Sequence, residues 1–239
     1  MNWKTPKTIV FRSFALVAVL GAAWMAQAQG VKTPYPSMAP IDQYLIADRN
    51  AEITLARSAA PESVSRDAEI IVLGRHGYET AVKGKNGFVC IVERSWAMGI
   101  DEPEFWNPKM RAPTCYNAPA ARFSVTLMKK RTELVLAGRS PIQMSQEINA
   151  AFDKKELPPL ETGAMCYMMS KQGYLNDAAR HWHPHLMFFA PLTEPAAWGA
   201  DLPGSPLLAS KDTLSRVTVF MIPVAKWSDG TSAPAMDDH

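Results

Sequence analysis

The run Phe88–Val92 is the feature that most restricts what this chain can fold into. All five of its residues are apolar, whereas a strand with one solvent-exposed face alternates apolar and polar side chains. Both faces of this strand need cover, which predicts a central position in a sheet with helices on at least one side. A second β-rich run, Tyr78–Lys83, precedes it, and the intervening Gly84–Gly87 contains Asn-Gly. Because both residues of an Asn-Gly pair tolerate positive φ, we predict a hairpin that joins the two runs.

The rest of the chain contains helix-type and strand-type patterns. Apolar residues recur at helical spacing within residues 41–60, and Ser140 with Gln143 forms a capping box that opens a later helix. The segment 123–127 alternates like a strand but leads into a helical pattern, so the start of that helix stays open. Further strand patterns cover residues 164–170, 186–190 and 217–224. This order predicts an α+β fold, with a mainly antiparallel sheet and a helical layer on one face, in a single domain over residues 41–227.

The first 28 residues have the composition of a secretory signal peptide. Three basic residues come first, an apolar stretch covers residues 14–25, and Ala26-Gln27-Ala28 has the small-x-small pattern of a cleavage site. The apolar stretch is shorter than the ~20 residues that a membrane span needs. We therefore expect a periplasmic or secreted protein, with no stable membrane insertion once residues 1–28 have been removed.

Two further segments are expected to lie outside the domain. Residues 29–40 include Pro34, Pro36 and Pro40, a spacing that excludes helix and favours an extended, mobile arm. Residues 228–239 are expected to form a disordered tail. The arm is the basis for one alternative function, a non-catalytic protein that interacts with other components of the cell envelope.

The slight excess of positive charge belongs to the leader. The full sequence has 25 Lys+Arg against 23 Asp+Glu, and without residues 1–28 the balance is 22 against 23. The short clusters Lys129-Lys130-Arg131 and Lys154-Lys155 are typical of solvated helix faces. A nearly neutral chain is not attracted to phosphate backbones, so we predict no nucleic-acid partner. The sequence leaves the oligomeric state open.

Three cysteines allow at most one intramolecular disulfide, and the sequence leaves all three pairings open. Cys90 and Cys166 lie in apolar strand-like runs, where cysteine behaves as a small buried hydrophobe. Cys115 precedes an expected helix start, where unpaired N–H groups favour a thiolate. Combined with His183 or His185 later in the chain, it suggests an alternative function as a thiol-dependent hydrolase.

Three segments, GYETAVKGKNGFVC, GAMCYMMSKQGY and HWHPHLMFF, resemble those of exported bacterial proteins that form an uncharacterised group with no assigned activity. The resemblance covers most of the mature chain. It implies export, and it implies no activity, cofactor or catalytic residue.

The densest group of candidate functional residues lies in residues 164–191, which hold three of the five histidines. On an extended strand, His181, His183 and His185 would point to the same side. Imidazoles placed in this way can bind zinc or another divalent metal. Pro184 marks an edge, a strand start or a turn, so the alternative is a loop that enters a strand with half-exposed histidines.

A metal site at these histidines needs a further ligand. His76 and Glu79 are the candidates, because they lie on or beside the first hairpin. A small molecule is the other possible ligand, since Trp182 and Tyr174 supply aromatic surface beside the histidines. The sequence therefore predicts a small-ligand or divalent-metal binding domain centred on HWHPH, and it identifies no catalytic residue.

Overall fold

The computed structural model describes residues 34–234, so the expected signal peptide lies outside the described residues. The strands are β1 (Glu69–Gly74), β2 (Gly77–Val82), β3 (Val89–Glu93), β4 (Ala112–Tyr116), β5 (Met165–Met168), β6 (His185–Pro191), β7 (Leu208–Asp212) and β8 (Val217–Pro223). The α-helices are α1 (Arg49–Arg57), α2 (Glu62–Ser65), α3 (Ala118–Ala120), α4 (Thr126–Leu136) and α5 (Pro141–Asp153), and a π-helical turn over Ala121–Val125 joins α3 to α4. Short 3-10 turns cover Ile41–Gln43, Ser95–Ala97 and Pro195–Trp198.

All these strands form one sheet in the order β2-β1-β3-β4-β5-β6-β8-β7. The neighbours pair antiparallel except β1 and β3, which run parallel. The predicted α+β class, with a mainly antiparallel sheet in a single domain, is confirmed. Within residues 34–234, every helix is too short or too polar to span a bilayer.

Successive residues of β1 show how the two faces of the sheet are covered. Ile70 is buried in a small cluster that includes Ala56 of α1. Ile71 points to the other face, where the larger cluster includes Leu134 of α4 and Ile148 of α5. The main helical layer therefore lies on one face, as predicted, and the shorter α1 covers part of the other.

The strand β3 is central, as predicted, but the predicted hairpin between β2 and β3 is wrong. β2 pairs instead with β1 across the turn at Arg75-His76, and β1 lies between β2 and β3. The chain does bend at Asn86-Gly87, with Gly87 at φ 79°, and Asn86 Nδ2 donates to the carbonyl of Val64 at 2.7 Å. A local turn reverses the chain without determining which strand becomes the neighbour, and β1, whose residues 70–73 are all apolar and buried, takes the position beside β3.

The helical layer begins earlier than the strand-like alternation in residues 123–127 suggests. Asn117 caps the start of α3, with its Oδ1 accepting from the backbone N–H three residues later at 3.1 Å. Phe123, Val125 and Leu127 are all buried. The first two lie in the π-helical turn, whose residues do not follow the strict alternation of a strand. The predicted capping box at Ser140 is confirmed at the start of α5.

Residues 34–40, the described part of the Pro-rich arm, have no regular secondary structure. They nevertheless contact the body of the domain. Tyr35 Oη donates to Asp177 Oδ2 at 2.5 Å, and Met38 packs against the larger core cluster. These contacts fix the described part of the arm along the surface of the domain.

Residues 228–234 differ from the expected disordered tail. The backbone N–H of Ser228 donates to the carbonyl of Met169 at 2.9 Å, and that of Ala233 donates to the carbonyl of Ala225 at 2.9 Å. The prediction is wrong for this part because its backbone groups find partners in the body and in the preceding turn. The expected tail beyond residue 234 lies outside the described residues.

Candidate functional site

Strands β5, β6 and β8 bring histidine and methionine side chains to one face of the sheet. His185 and Met187 are two residues apart on β6, so their side chains share a face. In the strand register, Met168 lies opposite His185, and Met221 lies opposite Met187. Directly opposite residues share a face and have Cβ atoms ~5 Å apart, so the four side chains form one compact patch.

A pocket of about 360 Å³ lies over this patch. Its lining is almost wholly apolar apart from two imidazoles. We call it the histidine pocket, and its lining residues are Met168, Leu175, Trp182, His183, His185, Met187, Leu208, Met221 and Pro223. The predicted grouping of His183, His185 and Trp182 around one cavity is therefore present.

Trp182 forms a fixed wall of the histidine pocket. Its ring is buried, and its Nε1 donates to the carbonyl of Met168 at 3.0 Å. The ring also lies close to Gly173, where an added methyl group would come within 2.2 Å of the indole. Glycine is therefore required at position 173, because the indole lies too close for a side chain there. The same contact leaves the Trp182 side chain little freedom to move.

The two imidazoles of the pocket have defined hydrogen-bond partners. His185 Nδ1 lies 2.8 Å from the carbonyl of His183, and His183 Nε2 lies 3.1 Å from the carbonyl of Val224. Carbonyl oxygens only accept, so these two ring nitrogens carry the hydrogens. In the neutral rings, His185 Nε2 and His183 Nδ1 are therefore acceptors. Burial lowers the pKa of His185, which favours its neutral form.

His181 and Tyr174 do not line the histidine pocket, contrary to prediction. His181 is exposed, and its ring packs against Trp227 with centroids 6.1 Å apart. Tyr174 directs its hydroxyl to Asp177 and pairs through its backbone with Arg111. The chain before β6 is a loop rather than a strand, so the alternation that would align all three histidines begins only at His185.

His76 and Glu79 lie far from these histidines, so their predicted convergence is wrong. They belong to the β1–β2 hairpin, and five strand spacings separate β2 from β6 in the sheet. At about 4.8 Å per spacing the separation is ~24 Å. Glu79 instead forms an exposed ion pair with Arg49. Within residues 34–234 no three His, Cys, Asp or Glu side chains converge, which leaves the zinc prediction without support.

The cysteines exclude the predicted thiol nucleophile. Cys115 is bonded to Cys90, directly opposite it in the β3–β4 register, and it lies within β4 rather than at a helix start. Cys166 is the free cysteine among the described residues, and burial raises the pKa of its thiol well above the usual range. It faces the larger core cluster, whereas the disulfide faces the smaller one. The thiol-dependent hydrolase is therefore wrong.

A second cavity, of about 160 Å³, lies on the same face of the sheet between the strands and α4. Its lining combines ionisable and hydroxyl groups with apolar side chains. We call it the Glu93 cavity, and its lining residues are Glu93, Ala97, Tyr116, Phe123, Ser124, Leu127, Met128, Arg131, Met187, Phe189, Asp212, Ser215, Val217 and Val219. None of its polar residues was predicted from the sequence to form a site.

Glu93 is the buried carboxyl group of this cavity. Tyr116 Oη donates to its Oε1 at 2.7 Å, while the nearby Thr114 hydroxyl donates to the carbonyl of Ala112 at 3.2 Å. Burial raises the pKa of Glu93, and the hydrogen bond from Tyr116 and the charge of Arg131 oppose that effect. The neutral carboxyl is thus favoured over a wider pH range than in water.

Arg131 is the buried cation of the cavity, with only 2 % of its surface exposed. Its Nη1 donates to three consecutive carbonyls of residues 96–98, and its Nη2 lies 3.3 Å from Ser215 Oγ and 3.7 Å from Asp212 Oδ2. Its Nε has no hydrogen-bond partner within the described structure. The interpretation of Lys129-Lys130-Arg131 as a solvated helix face is wrong for Arg131, because every third or fourth helical residue turns inward.

Comparison with protein-family models, with curated proteins and with solved structures finds no match. The resemblance to exported bacterial proteins therefore stays an expectation.

Proposed function

We propose that the protein binds a small apolar molecule in the histidine pocket, and that a hydroxyl or other donor on this molecule reaches an imidazole nitrogen. The supporting observation is a cavity of about 360 Å³ whose apolar walls surround two imidazoles. Small-molecule sites typically measure roughly 300 to 1,000 Å³ and combine apolar walls with a few placed polar groups.

The polar groups of the pocket favour a ligand that donates a hydrogen bond. His185 uses Nδ1 on a backbone carbonyl, which leaves Nε2 as the acceptor of its neutral ring. His183 uses Nε2 in the same way and leaves Nδ1. Two imidazoles also form an incomplete ligand set for a tetrahedral metal, which needs three or four protein ligands. An organic ligand therefore fits the pocket better than a metal ion.

The rigidity of the pocket wall supports binding without a large ordering cost. Trp182 is held by its hydrogen bond to Met168 and by close contact with Gly173. The methionine side chains opposite are flexible and polarisable, and they adapt to ligands of different outline. A fixed aromatic wall facing adaptable thioethers is suited to flat ring systems.

Titration with 2-naphthol and naphthalene tests this function. 2-Naphthol adds one hydroxyl to the same ring system, so it should bind more tightly than naphthalene to the purified protein. In His185→Leu the acceptor is lost, and 2-naphthol binding should weaken about tenfold while naphthalene binding stays within about twofold. His181→Leu is the matched control, because that exposed ring lies outside the pocket. Absence of saturable binding, or equal loss in both variants, would refute the proposal.

We further propose that the protein is exported to the periplasm or secreted. The basic and apolar leader supports this proposal, and so does the Cys90–Cys115 disulfide, because such bonds persist in oxidising compartments. N-terminal sequencing of the protein from the envelope fraction should begin at Gln29. A start at Met1, or recovery from the cytoplasm alone, would contradict export.

A further inference from the structure

The Glu93 cavity has the size and composition of a second binding site. Its volume of about 160 Å³ matches that of a molecule built on one aromatic ring, since a cavity of roughly 150 Å³ accommodates benzene. Phe123, Leu127 and Phe189 supply apolar walls. Glu93 and Arg131 supply polar groups that the protein itself uses only in part.

The unused hydrogen-bonding capacity of this pair has a specific pattern. Tyr116 donates to Glu93 Oε1, and Thr114 lies near the carboxyl group although its hydroxyl donates to Ala112, so an ionised Oε2 can still accept from a further donor. Arg131 uses both terminal nitrogens and leaves the buried Nε–H unpaired. Native proteins rarely leave a buried donor unsatisfied, so this one needs an explanation. One acceptor and one donor are therefore left over within one cavity.

The backbone of the cavity wall is itself unusual. The π-helical turn Ala121–Val125 interrupts the helix that carries Arg131, and it supplies Phe123 and Ser124 to the lining. π-Helical turns are rare and occur frequently at functional sites. The turn therefore gives a second observation, independent of the polar pair, that points to the same place.

We propose that the Glu93 cavity binds a small uncharged molecule through a carboxamide-type group, with an N–H beside a C=O. The ligand carbonyl accepts from Arg131 Nε–H, the buried donor that has no partner within the described structure. The ligand N–H donates to Glu93 Oε2. The rest of the ligand packs against the apolar wall formed by Phe123, Leu127 and Phe189.

The charges around the cavity favour an uncharged ligand over either ion. Arg131 is already paired with Asp212, so a ligand anion would meet two carboxyl groups, Glu93 and Asp212, against one neutralised cation. A ligand cation would meet the Arg131 guanidinium and would offer only donors to its Nε–H. A carboxamide presents one acceptor and one donor, which matches the two groups left unpaired.

Three probes of the same size and different charge test this assignment: benzamide, benzoate and benzamidine. Binding to the purified protein is followed by the ε-methyl resonances of methionine. Benzamide should shift Met128, which lines the cavity, in a saturable manner. Benzoate and benzamidine should bind at least about tenfold more weakly, because each leaves a buried group unpaired.

Glu93→Gln tests the acceptor. Its amide oxygen retains the hydrogen bond from Tyr116, while its NH₂ then faces the ligand N–H, so benzamide should bind about tenfold more weakly. Glu133→Gln is the matched control on the exposed side of α4 and should leave the affinity unchanged. If Glu93→Gln does not fold, Ser124→Phe serves instead, because the half-buried Ser124 lies at the wall and a larger ring fills the cavity.

Saturable benzamide binding that Glu93→Gln weakens, or that Ser124→Phe abolishes, supports the proposal. Three results overturn it: no saturable shift with benzamide, which would mean that only water fills the cavity; equal or tighter binding of either ion; or unchanged benzamide affinity in both variants. None of these results depends on whether the histidine pocket binds 2-naphthol.

Discussion

The histidine pocket and the Glu93 cavity lie on the same face of one sheet and share Met187 in their walls. Their chemistry differs. The histidine pocket is apolar, and both of its imidazoles already donate to backbone carbonyls. The Glu93 cavity contains buried ionisable groups whose hydrogen-bonding capacity is only partly used. The first is therefore suited to an apolar molecule with one donor, and the second to a smaller molecule with a matched donor and acceptor.

A third buried pair shows what a fully paired arginine looks like, because all three side-chain nitrogens of Arg94 have acceptors. Arg94 and Glu52 are joined at 2.8 Å, with 0 % and 2 % of their side chains exposed. Arg94 also donates to the carbonyls of Tyr44 and Val92, and Glu52 also accepts from the backbone of Leu73. This pair has a structural role. The contrast teaches that burial of a charge does not by itself mark a site, whereas a buried donor without a partner, such as Arg131 Nε–H, needs an explanation.

Matched Glu→Gln substitutions give the largest expected difference between a structural pair and a site. Glu52→Gln leaves the buried Arg94 without its counter-charge and should lower the free energy of unfolding by about 3–5 kcal/mol. Glu93→Gln should lower it by less than about 1 kcal/mol, because Gln keeps the hydrogen bond from Tyr116 and removes a charge whose burial is unfavourable. Urea unfolding monitored by circular dichroism measures both. Equal losses would show that Glu93 is as structural as Glu52.

Removal of the disulfide should cost stability without affecting either cavity. The bond links residues 25 positions apart, and Cys90→Ala with Cys115→Ala should lower the free energy of unfolding by about 3 kcal/mol. Both cysteines face the smaller core cluster, on the other side of the sheet from both cavities. The affinities for 2-naphthol and benzamide should therefore stay within about twofold. A selective loss of one affinity would place the disulfide in that site.

Gly173→Ala should separate the two cavities functionally. The added methyl group pushes the Trp182 ring away, which should lower the free energy of unfolding by about 1–3 kcal/mol and weaken 2-naphthol binding. Benzamide binding should not change, because Trp182 does not line the Glu93 cavity. Gly99→Ala is the control, since its methyl group meets only ordinary contacts. Unaltered 2-naphthol binding would mean that Trp182 is not part of the binding wall.

Titration of His185 and of Glu93 should change the free energy of unfolding with pH in opposite directions. Burial lowers the pKa of His185, so below about pH 6.5 the unfolded chain takes up a proton first, and the free energy of unfolding falls as pH falls. Burial raises the pKa of Glu93, so above about pH 4.5 the unfolded chain loses its proton first, and the free energy of unfolding falls as pH rises. Urea unfolding across this range should show that His185→Leu removes the first slope and Glu93→Gln the second. If the pH dependence of the free energy of unfolding stays the same after one of these substitutions, the substituted residue is not its source.

The sequence predicted the histidine pocket in part because most of its polar residues are close along the chain. His183, His185 and Trp182 lie within four positions, and a strand pattern follows them at once. It could not exclude His181, since that depends on where β6 begins. Nor could it place His76 and Glu79, because the order of strands in a sheet depends on non-local pairing.

The sequence could not predict the Glu93 cavity, because its polar residues come from distant parts of the chain. Glu93 ends β3, Tyr116 ends β4, Arg131 lies on α4, and Asp212 ends β7. One weak signal was present: a charged residue follows directly after the fully apolar run of β3. The fold class was predictable because alternating patterns, caps and apolar runs are local signals.

Methionine methyl NMR tests most directly whether the sheet face carries two separate sites. Of these two cavities, Met168 and Met221 line the histidine pocket alone and Met128 lines the Glu93 cavity alone, so their methyl groups distinguish the two. We predict that 2-naphthol shifts Met168 and Met221 but not Met128, and that benzamide shifts Met128 but neither of the others. The methyl group of Met144, a buried residue of α5, should stay unchanged with both probes. A single set of methyl groups that shifts with both probes, or no saturable shift with either, would contradict the account.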